Sequence, residues 1–263
     1  MKSAAAIPNR FSMREIAKQV LPKEHGSWSL ALEPIAFGML AAPSMPGSAL
    51  AVAAAAGFFL RRPLKILSRE NDPERRSLAL AAIFVLFTIA FGGLLMAIKW
   101  GGLEKLWPLI PAAAAGLAFA WFDSRNEGRE GAAEIAGSFA FGILPAAFAV
   151  LAGWSVVAAF SLAVIMLCRS IPTVLFVRTF LRIKKGRAVS VIPAITSASA
   201  GFFLTLSFVC FKFAPWPAIT FSATMTAGTI YLLAARPRLT AKAIGIAEAI
   251  FGTTMVLILA AVW

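Results

Sequence analysis

The chain is poor in the residues from which most soluble enzymes build reactive sites. Its 263 residues include two Cys, one His, one Tyr and only 12 Asp and Glu residues. A structural zinc site takes four ligands, mostly Cys and His. Two Cys and one His are too few, which excludes such a site. Cys168 and Cys210 fall at different depths of two apolar segments, too far apart for a disulfide. The chain also lacks a phosphate-binding P-loop, a dinucleotide-binding glycine motif and a nucleophile elbow.

What the chain has in excess is apolar sequence. Hydrophobic residues make up 60% of it and the mean hydropathy is +0.82, which is more apolar surface than a soluble domain can bury. A window of about 19 residues predicts nine membrane-length segments. They are residues 26–43, 47–67, 77–98, 107–122, 135–151, 156–177, 189–211, 216–233 and 243–262. The sequence therefore predicts an all-α, polytopic membrane bundle.

The positive charge alternates between the gaps that separate these segments. Of the 25 Lys and Arg residues, all but Lys99, Lys105, Lys212 and Arg169 lie in the N-terminal arm or in every second gap. Positively charged loops stay in the cytoplasm, so the N-terminus is predicted inside and Trp263 outside. The net charge of +13 is then explained by attraction to anionic lipids, and no nucleic-acid partner is predicted.

One domain accounts for nearly the whole chain. Residues 1–22 are predicted to form a cytoplasmic arm, in which residues 11–21 make an amphipathic helix lying on the inner leaflet. Residues 23–263 are predicted to form a single nine-helix transmembrane domain of the bacterial inner (cytoplasmic) membrane.

A family resemblance begins at residues 22–28, which read Pro-Lys-Glu-His-Gly-Ser-Trp and are followed by Pro34. This run resembles the opening signature of the YwiC-like family of bacterial membrane proteins. Residues 62–64, 126–129, 134–136, 176–179 and 242–248 fit as well. The resemblance extends from residue 21 to the C-terminus and implies a membrane protein, but no particular activity.

The span count also makes the chain similar to the UbiA-type intramembrane prenyltransferases. This resemblance implies a UbiA-like helix bundle that transfers an isoprenoid from a magnesium-bound polyprenyl diphosphate. Asn71 and Asp72 stand where that superfamily has its first Asp-rich motif, without the Asp residues that normally follow four and eight positions later. Residues 178–187, where the second motif belongs, are basic instead.

The acidic residues at the cytoplasmic face are candidates for binding Mg²⁺, which takes oxygen ligands and bridges to phosphates. We interpret Asp72, Asp123 and Glu127 as the metal ligands. Residues 123, 127, 130 and 134 would share one face if the segment were helical. The alternative is that these carboxylates pair with Arg125 and Arg129 in a solvated charge network.

Basic residues are candidates for binding a diphosphate or lipid head group through guanidinium forks. Arg61, Lys65, Arg69 and Asp72 are spaced to follow one face of a helix that continues past the bilayer. Ordinary positive-inside anchoring is the alternative. The predicted substrate-binding residues are Arg61, Arg62, Lys65, Arg69, Arg169 and Arg178.

Three ionisable residues, Glu33, Arg169 and Glu248, lie inside predicted spans, where such groups face the bundle interior and usually pair. Arg169 is predicted to pair with Glu33 or Glu248, for structural or functional reasons. Glu24 and His25, at the start of the first span, are candidates for proton transfer, or else simply cap the first helix.

Three functions are compatible with these patterns. The first is a prenyltransferase-like enzyme acting on an isoprenoid or other anionic lipid, with a polar cavity above an apolar chamber. The second is a non-catalytic protein that binds a membrane lipid or cofactor with the same bundle. The third, a small-solute transporter, is disfavoured because the segments show no inverted repeat.

Overall fold

A computed structural model describes residues 25–125, 127–128 and 130–263, with side chains described from Trp28 onward. The predicted interfacial helix over residues 11–21 lies outside this part of the chain. The described residues contain helices and no strand, which confirms the predicted all-α class.

Ten α-helices follow one another along the described chain. They are α1 His25–Ala41, α2 Met45–Arg69, α3 Pro73–Gly101, α4 Leu109–Ser124, α5 Gly131–Gly142, α6 Leu144–Leu151, α7 Val156–Lys184, α8 Ile192–Cys210, α9 Pro217–Ala235 and α10 Ala241–Val262. A short 3₁₀ helix, Leu103–Leu106, stands between α3 and α4.

Every predicted apolar segment coincides with one of these helices, and one segment is split. In the described chain, six helical segments are long and apolar enough to cross a membrane. They are α3, α5 with α6, α7, α8, α9 and α10. The helices α5 and α6 count as one segment with a break at Ile143. Pro145 follows that break in the first turn of α6, where its missing N–H costs no intrahelical hydrogen bond.

Side-chain caps fix where several helices begin. Ser44, Asp72, Ser155 and Thr240 each precede a helix and accept a hydrogen bond from a backbone N–H of its first turn. Such caps satisfy donors that have no partner within the helix. The boundaries are therefore encoded locally in the short polar gaps.

Two predicted helix extensions are wrong. The helix expected to carry residues 123, 127, 130 and 134 on one face is interrupted, because α4 ends at Ser124 and α5 begins at Gly131. The helix expected to continue through Asp72 ends at Arg69, and Asp72 caps α3 instead. The predicted basic stripe is nevertheless confirmed for Arg61, Lys65 and Arg69, which follow one face of α2, and only Asp72 lies outside that face.

The centre of the bundle is formed by α1 and α7. Helix α1 packs against α2, α5, α6 and α10, and α7 packs against α5, α6, α8 and α9. Helix α3 packs mainly on α2, and only 6% of its most apolar 18-residue stretch is buried. An apolar helix so exposed needs lipid around it, so the fold is that of an integral membrane protein.

Contacts between chain gaps show which helix ends lie together. Arg61 of α2 contacts Asp123 of α4, and Arg178 of α7 contacts Glu134 of α5. Lys184 donates a hydrogen bond to the Leu239 carbonyl before α10. We call this side of the bundle the basic end, because it gathers the gaps rich in Lys and Arg. Phe37 packs on Trp263, and Trp107 on Phe160, at the opposite end.

Candidate functional site

We define two polar clusters in the described chain, one at the basic end and one inside the bundle. The rim cluster consists of Arg61, Lys65 and Asp123. The central cluster consists of Glu33, Arg169, Thr173 and Glu248.

In the rim cluster, one carboxylate binds two cations from another helix. Asp123 Oδ1 accepts hydrogen bonds from Arg61 Nη2 at 3.2 Å and from Lys65 Nζ at 3.1 Å, while its Oδ2 lies 3.4 Å from Arg61 Nε. Arg61 and Lys65 are one turn apart on α2, so both reach the end of α4. Burial raises the pKa of Asp123, but the hydrogen bonds and charges of Arg61 and Lys65 outweigh it, so its pKa lies below the ordinary value.

A close approach of the backbone completes the rim cluster. A Cβ atom on Gly128 would lie 2.3 Å from Asp123 Oδ1 and 3.4 Å from Arg61 Nη2. Glycine lets the loop after α4 lie directly against this ion pair. Nothing in the spacing of the charged residues indicates this role for Gly128.

Aromatic rings lie directly beneath the rim cluster. The guanidinium carbon of Arg61 is 4.7 Å from the centroid of the Phe119 ring. Phe58 contacts Phe59 and Phe141 edge-on, with centroids 5.3 Å and 5.8 Å apart, and Trp28 contacts Phe59 at 5.5 Å. A charged layer thus stands on an aromatic layer at the basic end.

The other predicted phosphate-binding residues differ in their surroundings. Arg178 is bound by Glu134 at 3.0 Å and by Glu130 at 3.5 Å. Arg62 and Arg69 form no ion pair with any described residue. The structure therefore brings Arg61 and Lys65 together and places Arg178 with acidic partners at the start of α5. Arg62 and Arg69 have no carboxylate partner in the described part of the chain.

The predicted magnesium ligands do not fit a metal site as they are placed. Both oxygens of Asp123 face cations, and Asp72 accepts a hydrogen bond from the Glu74 N–H and lies 3.6 Å from Arg75 Nε. Glu127 is exposed. Among the described residues, no three His, Cys, Asp or Glu side chains are grouped as metal ligands. Magnesium binding thus stays a prediction that needs rearrangement of these side chains.

The predicted proton-transfer pair falls at the edge of the described chain. His25 is the first residue of α1. Glu24 and the His25 side chain lie outside the described part, so their roles stay predictions.

The central cluster joins three helices at mid-bundle. Arg169 of α7 is only 3% exposed, and its Nη1 lies 2.9 Å from Glu248 Oε2 of α10. Its Nη2 donates to the Glu248 carbonyl at 2.8 Å, and Nη1 also contacts the Thr173 hydroxyl. Glu33 of α1 is more distant, with its Oε2 3.8 Å from Arg169 Nε. The prediction that Arg169 has an intramembrane partner is confirmed, and both predicted glutamates contact it.

Two residues of this centre were not indicated by the charge pattern. Thr173 lies one turn after Arg169 and contacts both Arg169 and Glu248; the four-residue spacing was its only signal. A Cβ atom on Gly252 would lie 2.2 Å from Glu33 Oε1, so this glycine of α10 makes room for the carboxylate.

A narrow crevice adjoins the central cluster between α7, α8, α9 and α10. Its lining is mostly apolar, and Arg169, Thr205 and Ser222 contribute polar groups. It extends to Ala218 and Leu259, which lie toward the end of the bundle opposite the basic end.

The fold defines the chain as an integral, multi-pass helical membrane protein. A family model described as YwiC-like protein matches residues 21–149. This match confirms the predicted YwiC-like resemblance over residues 21–149, which contain α1 to α5, most of α6, Glu33 and the rim cluster. The expected continuation to the C-terminus is not part of this match. No curated protein and no solved structure matches the chain, and the UbiA-type resemblance stays a prediction.

Proposed function

We propose that this protein binds the phosphate head group of an anionic amphiphile, either a membrane lipid or a polyprenyl diphosphate, at its basic end. The observation that carries the proposal is the rim cluster standing on an aromatic layer. An amphiphile with a charged head group and an apolar chain needs cations for the head group and, next to them, an apolar surface for the chain.

The cations of the rim cluster remain accessible although they are paired. The side chains of Arg61 and Lys65 are 33% and 38% exposed, whereas that of Asp123 is 13% exposed. Asp123 holds the two cations from the buried side and leaves donors on the open side. Guanidinium and ammonium groups arranged this way bind phosphate by charge-assisted hydrogen bonds.

The aromatic layer supplies the apolar part of the proposed site. Phe59, Phe119 and Phe141 are half-buried, so part of each ring can contact an isoprenoid or acyl chain. Burying apolar area contributes about 25 cal/mol per Å², which favours an amphiphile over a small free phosphate.

The proposal includes a nine-span bundle of the bacterial inner membrane, with the basic end in the cytoplasm. Six helical segments are long and apolar enough to cross a membrane, and nine spans require that α1, α2 and α4 cross it as well. The helices α1 and α4 are apolar but short, and α2 carries four cations in its last nine residues. Flanking cations at the interface are compatible with a span.

We favour binding without catalysis. Two of the three carboxylates expected to hold Mg²⁺, Asp123 and Asp72, interact with Arg61, Lys65 and Arg75 instead. In this arrangement the phosphate would be neutralised by side chains alone. A magnesium-dependent, UbiA-like prenyltransferase is the alternative that the experiment distinguishes.

The test is ligand-dependent thermal stability of the purified protein. Polyprenyl diphosphate and phosphatidylglycerol are compared, each with Mg²⁺ and with a chelator, and zwitterionic phosphatidylcholine serves as the lipid control. A ligand at a hundredfold excess over its Kd stabilises by about 2.7 kcal/mol. We expect stabilisation by an anionic ligand that does not depend on Mg²⁺, and the stronger of the two ligands identifies the head group.

Matched variants locate the site. Arg61→Gln should weaken the stabilisation, whereas Arg238→Gln, an exposed cation at the same end, should not. Equal effects of both variants would show that the head group is not held by the rim cluster. Stabilisation that requires Mg²⁺ and disappears in Asp123→Asn would instead support the transferase.

A further inference from the structure

The central cluster carries unequal numbers of opposite charges. Two carboxylates, Glu33 and Glu248, face a single cation, Arg169, and these three residues lie on three different helices. The Ser29 hydroxyl also faces Glu33, but it carries no charge. Among the described residues, α2, α5 and α6, which also pack on α1, place no charged side chain in ion-pair contact with Glu33. Two ionised carboxylates would leave one uncompensated negative charge inside the bundle, which is strongly unfavourable.

The geometry shows which carboxylate is left over. Glu248 Oε2 lies 2.9 Å from Arg169 Nη1, and the Thr173 hydroxyl lies 3.5 Å from the same Oε2 atom. Glu33 approaches Arg169 only at Nε, with its Oε2 at 3.8 Å, and within the described part of the chain neither Arg169 Nε nor Glu33 Oε1 has a hydrogen-bond partner. The Glu33 side chain is 10% exposed. Its Oε1 is therefore a buried acceptor that is free to bind a positive charge.

The surroundings of this oxygen favour a proton over a metal ion. Hard cations take about six or more oxygen ligands, and Glu33 Oε1 lies against the backbone of Gly252. A proton needs one oxygen and no coordination shell. We propose that Glu33 is a proton-binding site in the centre of the bundle, with Arg169 and Glu248 as its fixed ion pair.

The packing around the cluster points to the side from which the proton is exchanged. Toward the basic end, Phe176, Phe180, Leu233 and Ile244 form a buried apolar cluster. On the other side, the crevice leads from Arg169 past Ser222 toward the end opposite the basic end. The route of proton exchange included in this proposal is the crevice, which reaches Arg169 beside Glu33 but is not lined by Glu33 itself. This inference does not depend on head-group binding at the rim cluster.

Infrared spectroscopy in an ester-free detergent tests the proton directly. At pH 7 the wild-type protein should show the C=O band of a protonated carboxylic acid, and Glu33→Gln should abolish it. Glu104→Gln, which changes an exposed acid near the opposite end, should leave the band unchanged. A spectrum without this band, or a band that survives Glu33→Gln, would overturn the proposal.

Thermal stability gives a second readout that does not require a spectrum. Because glutamine resembles a neutral carboxylic acid, Glu33→Gln should leave the melting temperature unchanged, whereas Glu248→Gln should lower it. An equal loss in both variants would mean that Glu33 is an ionised partner of Arg169, and would refute the proton site.

The crevice is tested by the rate at which the Glu33 band shifts in D₂O. Ser222→Leu adds volume inside the crevice and should slow the shift. Gly228→Leu adds volume on the same helix, at a position where a Cβ atom meets nothing within 4 Å, and should leave the rate unchanged. Equal rates in both variants would contradict exchange through the crevice.

Discussion

Replacing Gly252 by alanine tests the packing of the central cluster most directly. A Cβ atom there would lie 2.2, 2.3 and 2.5 Å from Oε1, Cδ and Oε2 of Glu33. The whole carboxylate group would therefore have to move, and its contact with Arg169 would change. Gly245→Ala is the matched control, because it lies on the same helix and its Cβ would meet nothing within 4 Å.

Comparing Gly252→Ala with Gly245→Ala isolates the free-energy cost of the clash between the added methyl group and Glu33. Alanine is favoured over glycine within a helix by about 1 kcal/mol, and this gain is common to both substitutions. Overpacking a filled interior costs about 1–3 kcal/mol. We therefore expect Gly252→Ala to be less stable than Gly245→Ala by about 1–3 kcal/mol, or roughly 2–4 °C in melting temperature per kcal/mol for a chain of this length.

Thermal unfolding in detergent, followed by tryptophan fluorescence, measures the difference. The same pair of substitutions is then made in a Glu33→Ala background, where the carboxylate is absent. The difference between the two glycine positions should largely disappear there, because the steric clash has been removed. A difference that persists at full size in Glu33→Ala would refute the contact between Gly252 and Glu33.

Three further predictions follow from the two clusters and the charge pattern. Arg169→Ala leaves the buried carboxylate of Glu248 without its cation and should cost about 3–5 kcal/mol; strict additivity with Glu248→Gln in thermal unfolding would contradict their pairing. Because the folded-state pKa of Asp123 lies below its unfolded value, its stabilisation is present above the unfolded pKa and is lost as pH falls through the folded pKa. Asp123→Asn should remove this part of the pH dependence. If the plot of stability against pH were the same in Asp123→Asn as in the wild type, the pairing of Asp123 with Arg61 and Lys65 would be contradicted. Reporter fusions should place residues 70, 127, 184 and 238 in the cytoplasm and residues 45, 102, 153, 214 and 263 outside; a cytoplasmic C-terminus would refute nine spans.

The positions of the helices, and the ends that they share, could be predicted from the amino-acid sequence. Apolar segments and polar gaps are local properties, and so are the caps at Ser44, Asp72, Ser155 and Thr240. The spacing of basic gaps predicted which gaps share an end, and the contacts of Arg61 with Asp123 and of Arg178 with Glu134 agree. The cost of an ionised group inside a span likewise predicted a partner for Arg169.

The pairing of the charged side chains could not be predicted from sequence and depends on how the helices pack. Asp123 was predicted to bind a metal, but α2 and α4 bring Arg61 and Lys65 to its oxygens across about 60 residues of sequence. Arg169 contacts Glu33 and Glu248 because α1 and α10 pack around α7 with Gly252 leaving room. Local sequence patterns fix helices through contacts between near neighbours, whereas a site depends on distant residues brought together, and its charge balance appears only once the helices are packed.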